Sequence, residues 1–257
     1  MTNVRKKDSR GEGGASGSAR SGMSSLSQLN EAIVACRLCP RLIKHCRIVA
    51  VEKRAAYRND IYHGLPVPNL LSKDAVKLLI VGLAPGAHGA NRTGRMFTGD
   101  RSGDFLFRAM FETGFANQAV AVSLNDGLQL IGAVITASAH CAPPGNKPTP
   151  EELARCTPFL ERTFDLLPQA RVVLCLGRLA LDAVLRLYKS RGWIARQADY
   201  RFGHGTLFDS FTGEGKPPAI LCSFHPSQQN TFTGRLTPKM LREVFEQARE
   251  QIQAGCT

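Results

Sequence analysis

The 257-residue chain contains four short apolar runs. They lie at residues 76–83, 128–136, 171–176 and 219–224. Short continuous apolar runs of this kind are typical of strands that are buried on both faces of a parallel sheet. The pattern therefore predicts four buried strands.

Helical patterns, in which apolar residues recur every three or four positions, lie between or after these runs. The first starts at Leu26, and the others cover residues 103–114, 150–167, 177–190 and 238–253. Thr149 and Thr237 each precede a Pro, and this pair favours a helix start because Thr caps the helix and Pro fits its first position. The alternation predicts an α/β fold, a three-layer α/β/α sandwich around a roughly four-stranded parallel sheet.

A polar segment follows each predicted strand, at residues 82–100, 141–150, 177–178 and 225–235. Parallel strands bring these segments to one edge of the sheet, where open α/β sheets bind their ligands. The first segment is long for a loop inside a compact domain, which is typical of a binding loop. We therefore expect the chemistry of the protein at this edge.

Residues 1–25 differ in composition from the rest. They are rich in Gly and Ser with scattered Arg and Lys, which predicts a disordered basic tail before a single domain at 26–257. The chain has 33 Lys and Arg against 21 Asp and Glu, a formal charge of +12, and most of the excess lies in the domain. This excess favours a polyanionic partner, for which nucleic acid is the first candidate.

Membrane spans and export signals both require a continuous apolar run. No apolar run approaches the roughly 20 residues of a membrane span, and the N-terminus lacks the apolar core of a signal peptide. We expect a cytoplasmic, nucleoid-associated protein that acts as a monomer without membrane contact.

Eight cysteines in a chain without an export signal indicate metal binding or core packing rather than disulfides. Cys36 and Cys39 form a Cys-x2-Cys pair, and Cys141 and Cys156 provide two further thiols far along the chain. Four thiolates are enough for a closed zinc site or an iron–sulfur cluster. The other cysteines are predicted to be small core residues: Cys46, Cys175, Cys222 and Cys256.

Several residues at the expected edge have both a structural and a chemical interpretation. Asp100 stands where a helix cap belongs, and His88 and Asn146 suit turns. Phe97 is equally suited to the core. His225 precedes a Pro, which holds it extended at a strand end, a rigid place for a functional group.

Three extended motifs and the cysteine set resemble those of the family 5 (type B) uracil-DNA glycosylases. The likeness covers about residues 30 to 250, in the right order. The motifs are Gly82-Leu83-Ala84-Pro85 with Asn91-Arg92-Thr93-Gly94-Arg95-Met96-Phe97-Thr98-Gly99-Asp100, Cys141-Ala142-Pro143-Pro144 with Asn146-Lys147-Pro148, and His225-Pro226-Ser227 with Thr233-Gly234-Arg235-Leu236-Thr237.

The resemblance implies an enzyme of base excision repair that acts on single- and double-stranded DNA containing deaminated bases. Such an enzyme flips the target nucleotide out of the stack and hydrolyses the bond between base and deoxyribose. It also implies a [4Fe–4S] cluster, with the ligands Cys36, Cys39, Cys141 and Cys156. By resemblance, Phe97 stacks on the flipped base, Asn146 reads its hydrogen-bonding edge, and His225 donates to the base oxygen that gains charge.

The resemblance also supplies a wider set of expected site residues. The catalytic group consists of Asp100, His225 and Asn146. The expected substrate-binding residues are Gly82, Ala84, His88, Asn91, Phe97, Asn146 and His225. The expected DNA contacts are Ser227, Gln229, Asn230 and Arg235.

The first motif departs from related glycosylase families. Those families carry an acid or amide near the positions of Leu83 and Ala84, where it orients the attacking water, but this chain has apolar residues there. Asp100 becomes the candidate for holding the water or facing the oxocarbenium-like sugar. The missing polar group also predicts a less exclusive pocket that accepts other deaminated bases, such as hypoxanthine.

Two other classes compete with a glycosylase. One is a non-catalytic nucleic-acid-binding protein that a structural metal stabilises. The other is a glycine-loop nucleotide-binding enzyme, but the loop lacks both the Gly-Lys-Ser/Thr of a P-loop and the Gly-x-Gly-x-x-Gly spacing.

Overall fold

The computed structural model describes residues 24–213 and 216–254. The predicted tail therefore lies almost entirely outside the described residues, as does Cys256. The helices are α1 (Leu26–Ala35), α2 (Pro40–Glu52), α3 (Ala90–Thr93), α4 (Arg101–Glu112), α5 (Pro150–Asp165), α6 (Arg178–Ser190), α7 (Gln228–Phe232) and α8 (Pro238–Ala254). The strands are β1 (Leu78–Gly82), β2 (Ala133–Ala137), β3 (Val172–Leu176), β4 (Leu207–Phe208) and β5 (Ala219–Ser223).

The strands form one sheet in the order β2-β1-β3-β5-β4. The four predicted strands are parallel, and the short β4 pairs antiparallel with β5. The predicted α/β fold is thus confirmed, with an added edge strand. The prediction for the second strand was wrong at its start, because Gly132 adopts φ 61° and interrupts the extended chain before Ala133.

Both faces of the sheet are covered, which gives the three predicted layers. Successive residues of a strand point to opposite faces, so Leu78 and Ile80 join the core that contains Leu106 of α4 and Phe245 of α8. Their neighbours Leu79 and Val81 join the core on the other face, which α5 and α6 cover. Every residue of the four parallel strands is buried, and this explains why the strands are continuous apolar runs.

The strand order reverses beside β1. From β1 the chain passes to β2 on one side and then crosses to β3 on the other side. Loops that leave neighbouring strands in opposite directions open a crevice at the carboxyl edge. The loop after β1 lies at this crevice.

Local signals in the sequence account for several boundaries. The helix start predicted at Thr149 and Pro150 is confirmed and has a capping box, since Thr149 Oγ1 accepts from the Glu152 N–H and the Glu152 carboxylate accepts from the Thr149 N–H. Three of the four cysteines assigned to the core are fully buried, namely Cys46, Cys175 and Cys222. Among the helices of the described residues, none is long and apolar enough to cross a bilayer.

Candidate active site and cysteine cavity

The loop after β1 folds over the carboxylate of Asp100. A Cβ on Gly86 would lie 2.9 Å from Asp100 Oδ2, and a Cβ on Gly89 would overlap that oxygen. Glycine is therefore required where the backbone approaches the carboxylate this closely. Asp100 Oδ2 consequently faces the inside of the binding loop.

The other carboxylate oxygen of Asp100 has a structural partner. Asp100 Oδ1 accepts a 3.0 Å hydrogen bond from the N–H of Gly103 and caps α4. Burial raises the pKa of Asp100, although the N–H groups of Gly103 and Ser102 oppose the rise. Both interpretations of this residue thus have a basis, because one oxygen caps the helix and the other faces the loop.

Phe97 has an unusual backbone. Its φ is 52°, in the left-handed region that a bulky residue rarely adopts and that often marks a functional site. A Cβ on Gly82 would lie 3.1 Å from the tip of the Phe97 ring, and a Cβ on Gly103 would overlap the Phe97 carbonyl oxygen. The glycines on both sides therefore allow the ring to stand at the end of β1.

His225 follows β5 and faces Phe97. The two ring centroids are 5.8 Å apart, with 33° between the planes, and the amide of Asn230 donates a 2.8 Å hydrogen bond to the His225 carbonyl. Burial lowers the pKa of His225 to about 4. The imidazole is therefore neutral near pH 7 and retains one N–H donor.

Two arginines of the first motif, which the sequence analysis did not assign, hold the loop in shape. Arg92 donates to the carbonyls of His88 and Gly99, each at 2.8 Å, and forms a 2.6 Å ion pair with Asp60. Its Cζ lies 4.0 Å from the centroid of the Tyr57 ring. Arg92 thus joins both ends of the loop to the segment after α2.

Arg95 forms a buried ion pair with Asp126. The two side chains are 5% and 8% exposed, and Arg95 Nη2 lies 2.6 Å from Asp126 Oδ2. Burial favours a higher pKa for Asp126, but the Arg95 guanidinium and several backbone N–H groups outweigh it and hold the pKa well below its usual range. The pair fixes the segment before β2 against the binding loop.

The structure shows local contacts for two further predicted substrate-binding residues. His88 Nδ1 lies 3.0 Å from the hydroxyl of Tyr62, and burial lowers the pKa of His88. Asn91 is fully buried, and its amide group donates to the carbonyls of Cys46 and Ala87 at 3.3 and 3.4 Å. Tyr62 is a partner that the sequence analysis did not identify.

Asn146 lies away from these buried groups. It is exposed and ends the turn Pro144–Asn146 with φ 57°. The structure therefore brings Phe97 and His225 together and places Asn146 at the surface. The reading of the base by Asn146 stays a prediction.

The predicted DNA contacts lie in and around α7. Ser227 occupies the N-cap position of α7, and Gln229 and Arg235 are exposed. The Cζ of Arg235 lies 4.5 Å from the centroid of the Phe224 ring. The Asn230 amide donates to the His225 carbonyl, so its contact within the structure is with the segment after β5.

The four cysteines of the predicted metal centre line one cavity: Cys36, Cys39, Cys141 and Cys156. They come from the end of α1, the start of α2, the segment after β2 and the middle of α5. The cysteines within the described residues are free thiols. Apolar side chains such as Leu42 also line the cavity.

The donor set of this cavity is suited to a cluster. Within residues 24–213 and 216–254, no three His, Cys, Asp or Glu side chains converge closely enough to hold a single metal ion. A zinc ion needs four donors at about 2.0–2.3 Å from one point, whereas a [4Fe–4S] cluster takes four cysteine thiolates, one on each iron. The four cysteines that line the cavity equal in number the thiolates that a [4Fe–4S] cluster takes.

Comparison with known sequences identifies the relatives of this chain. A sequence model of the uracil DNA glycosylase superfamily matches residues 68–249. The chain is 47% identical over 230 residues to the type-5 uracil-DNA glycosylase of Mycobacterium tuberculosis. The aligned residues cover 89% of this chain and 82% of that relative. It is 43% identical over 219 residues to the type-5 uracil-DNA glycosylase of Thermus thermophilus. Here the aligned residues cover 85% of this chain and 94% of that relative.

These matches confirm the resemblance to family 5 and the prediction of an enzyme of the uracil-DNA glycosylase class. They extend from before the first motif to beyond the third. Residues that lie in or beside the crevice, such as Phe97, Asp100 and His225, are therefore included in the family match. The chain belongs to the uracil-DNA glycosylase superfamily.

Proposed function

We propose that this protein removes uracil from DNA by hydrolysing its N-glycosidic bond, which leaves an abasic site for base excision repair. The observation that carries the proposal is the pairing of Phe97 with His225: an aromatic ring held at φ 52° stands 5.8 Å from a neutral, half-buried imidazole. Relatives that the chain matches over most of its length are named type-5 uracil-DNA glycosylases.

The site supplies the two interactions that a flipped uracil requires. Phe97 offers an aromatic face for stacking on the extrahelical base. The remaining N–H of His225 donates to the uracil oxygen that becomes negative as the C–N bond breaks. A neutral donor suits this position because the buried pocket disfavours a charged imidazolium.

Asp100 supplies the carboxylate that the apolar Leu83 and Ala84 lack. Its Oδ2 faces the loop across Gly86 and Gly89, where an ionised carboxylate orients water or faces the positive charge that develops on the sugar. Binding of the surrounding DNA is electrostatic, with exposed residues such as Arg235 at the phosphates.

The protein should also accept bases other than uracil. A site rejects wrong ligands strongly only when it leaves polar groups unpaired, and Leu83 and Ala84 have no polar side-chain atoms. We therefore expect excision of hypoxanthine as well as uracil from both duplex and single-stranded DNA.

Duplexes that carry uracil, hypoxanthine or thymine opposite guanine test this function. Incubation with the protein should produce alkali-labile sites at uracil and hypoxanthine. A protein that binds these duplexes but forms no abasic site in any of them would instead be a non-catalytic nucleic-acid-binding protein.

The pH dependence of excision should report the ionisation of Asp100 and not that of His225. Ionised Asp100 is lost as pH falls through its raised pKa, and neutral His225 persists down to about pH 4. The single-turnover rate should therefore be flat around pH 7 and fall on the acid side, above the ordinary carboxyl value of 3.8. Circular dichroism at each pH shows that the protein stays folded. A rate that halves near 6.5, the ordinary histidine value, would contradict a His225 that is neutral over this range.

We further propose that Cys36, Cys39, Cys141 and Cys156 hold a [4Fe–4S] cluster. The support is the donor set and its position, since the four thiols line one cavity between α1, α2, β2 and α5. When bound, the cluster supplies a covalent link between these segments. The chain's own residues carry out the excision chemistry.

Replacement of Cys39 with Ser should reduce soluble yield and iron content together, because one thiolate of the set is lost. The wild-type protein should be brown and contain iron and inorganic sulfide. Cys175→Ala is the matched control, since Cys175 is buried in β3 outside the cavity, and it should keep the iron. A colourless wild-type protein with stoichiometric zinc would contradict the iron assignment.

A further inference from the structure

A second groove lies beside the candidate active site and takes no part in the mechanism above. It encloses about 370 Å³ between α4 and the segment that contains α7. Arg101, Asp104 and Arg108 line the α4 side, and Thr231 and Phe232 line the other. This volume is large enough for a nucleobase.

Both walls of the groove continue directly from the catalytic segments. Arg101 follows Asp100 in sequence and starts α4, and Phe232 ends the short helix that follows His225. A DNA strand that places one nucleotide against Phe97 and His225 therefore passes close to this groove. Another part of the same DNA substrate can therefore reach the groove.

Phe232 gives the groove an aromatic platform. Its side chain is 67% exposed, and the Cζ of Arg101 lies 4.8 Å from the centroid of its ring. The guanidinium restricts the ring while most of the ring surface stays open to solvent. Exposed aromatic rings of this kind, flanked by Arg, bind unstacked bases in nucleic-acid-binding proteins.

The charges in the groove favour a base over a phosphate. Arg108 is paired with Glu112 at 3.1 Å, and Arg101 lies near Asp104 without forming an ion pair with it. The Asp104 carboxylate makes no hydrogen bond or ion pair within the described residues, so both of its oxygens are available as acceptors. Guanine is the base that presents two adjacent N–H donors, N1–H and the N2 amino group, to such a carboxylate.

We propose that this groove binds an unpaired guanine of the substrate DNA, with Phe232 stacking on the base and Asp104 accepting from N1–H and N2–H. The inference rests on the proposed function, because deaminated cytosine is paired with guanine and flipping of the uracil leaves that guanine without a partner. The groove then adds selectivity for uracil opposite guanine to a pocket that is itself permissive.

Binding to duplexes with a stable abasic analogue tests the groove without requiring catalysis. The dissociation constant is measured by fluorescence anisotropy with guanine or adenine opposite the analogue. Wild-type protein should bind the guanine duplex more tightly. Asp104→Asn and Phe232→Leu should each reduce the guanine-over-adenine affinity ratio about tenfold, the scale of one bidentate base contact or one base stack.

Matched control variants separate guanine binding from general effects of surface mutation. Phe111→Leu changes a Phe on α4 that is 49% exposed and does not line the groove. Glu31→Gln removes an exposed carboxylate from α1. Both controls should keep the wild-type ratio.

Two results would overturn the proposal. One is a wild-type affinity that is equal for guanine and adenine duplexes. The other is an equal loss of affinity for both duplexes in Asp104→Asn and Phe232→Leu, which indicates backbone contacts. A wild-type protein that discriminates guanine but excises no uracil would contradict the proposed function and leave the groove supported. A guanine preference of the same size in a single strand with a guanine next to the abasic analogue would also contradict the proposal, because the bound guanine would then come from the same strand.

Discussion

Replacement of Asp100 with Asn should slow uracil excision roughly 100-fold or more, the usual scale for a positioned acid–base or charged group. The change removes the charge on Oδ2, which faces Gly86 and Gly89, and keeps the shape of the side chain. Asn is about as good an N-cap as Asp, so α4 should remain capped through the Gly103 N–H. Single-turnover excision beside a melting curve gives the measurement.

The two interpretations of Asp100 predict different results. A residue that is only a cap predicts a stability loss of about 1 kcal/mol or less and near-normal turnover. Asp182→Asn, in an exposed ion pair with Arg178 on α6, controls for the loss of a carboxylate elsewhere. An active Asp100→Asn enzyme would move the water-positioning role to Asn91, His88 or Asn146.

Replacement of His225 with Ala should reduce the single-turnover rate by roughly 100- to 1000-fold, the range for loss of one donor to a developing oxyanion. The half-buried His225 is neutral and offers an N–H donor to the base. The dissociation constant for uracil-containing DNA should change far less than the rate, because the interaction strengthens as the bond breaks.

The conservative variant His225→Gln separates donation from packing against Phe97. Gln restores a donor without the ring and should recover part of the lost rate. If His225→Ala lowered affinity and rate by the same factor, His225 would bind the ground state of the base and would not stabilise the leaving anion.

The sequence predicted the fold best for the strands that are buried on both faces, because such strands are continuous apolar runs. The strands β1, β3 and β5 coincide closely with the predicted apolar runs, and the helices on both faces have the expected periodicity. The edge strand β4 has only two half-buried residues, which is too short for a periodic signal. Helix α2 was not predicted because only one narrow face is buried, with Leu42, Ile43 and Cys46.

The sequence allowed us to predict which residues form the candidate site, but not how their backbones and side chains are arranged. The motifs identified Phe97, Asp100 and His225, but no residue pattern indicates that Phe97 adopts φ 52°. Arg92 and Arg95 bind carbonyls and carboxylates within the protein. In the sequence they are indistinguishable from arginines that bind phosphate, because the difference depends on contacts between distant segments.

The most direct test of the central claim is the release of free base from a duplex with one labelled uracil opposite guanine, followed under single-turnover conditions. The wild-type protein should release free uracil and leave an intact strand with an abasic site, and a combined Asp100→Asn and His225→Ala variant should bind the duplex with almost no release. Release of uracil by that double variant at the wild-type rate, or none by the wild-type protein, would contradict the assignment of excision to this site.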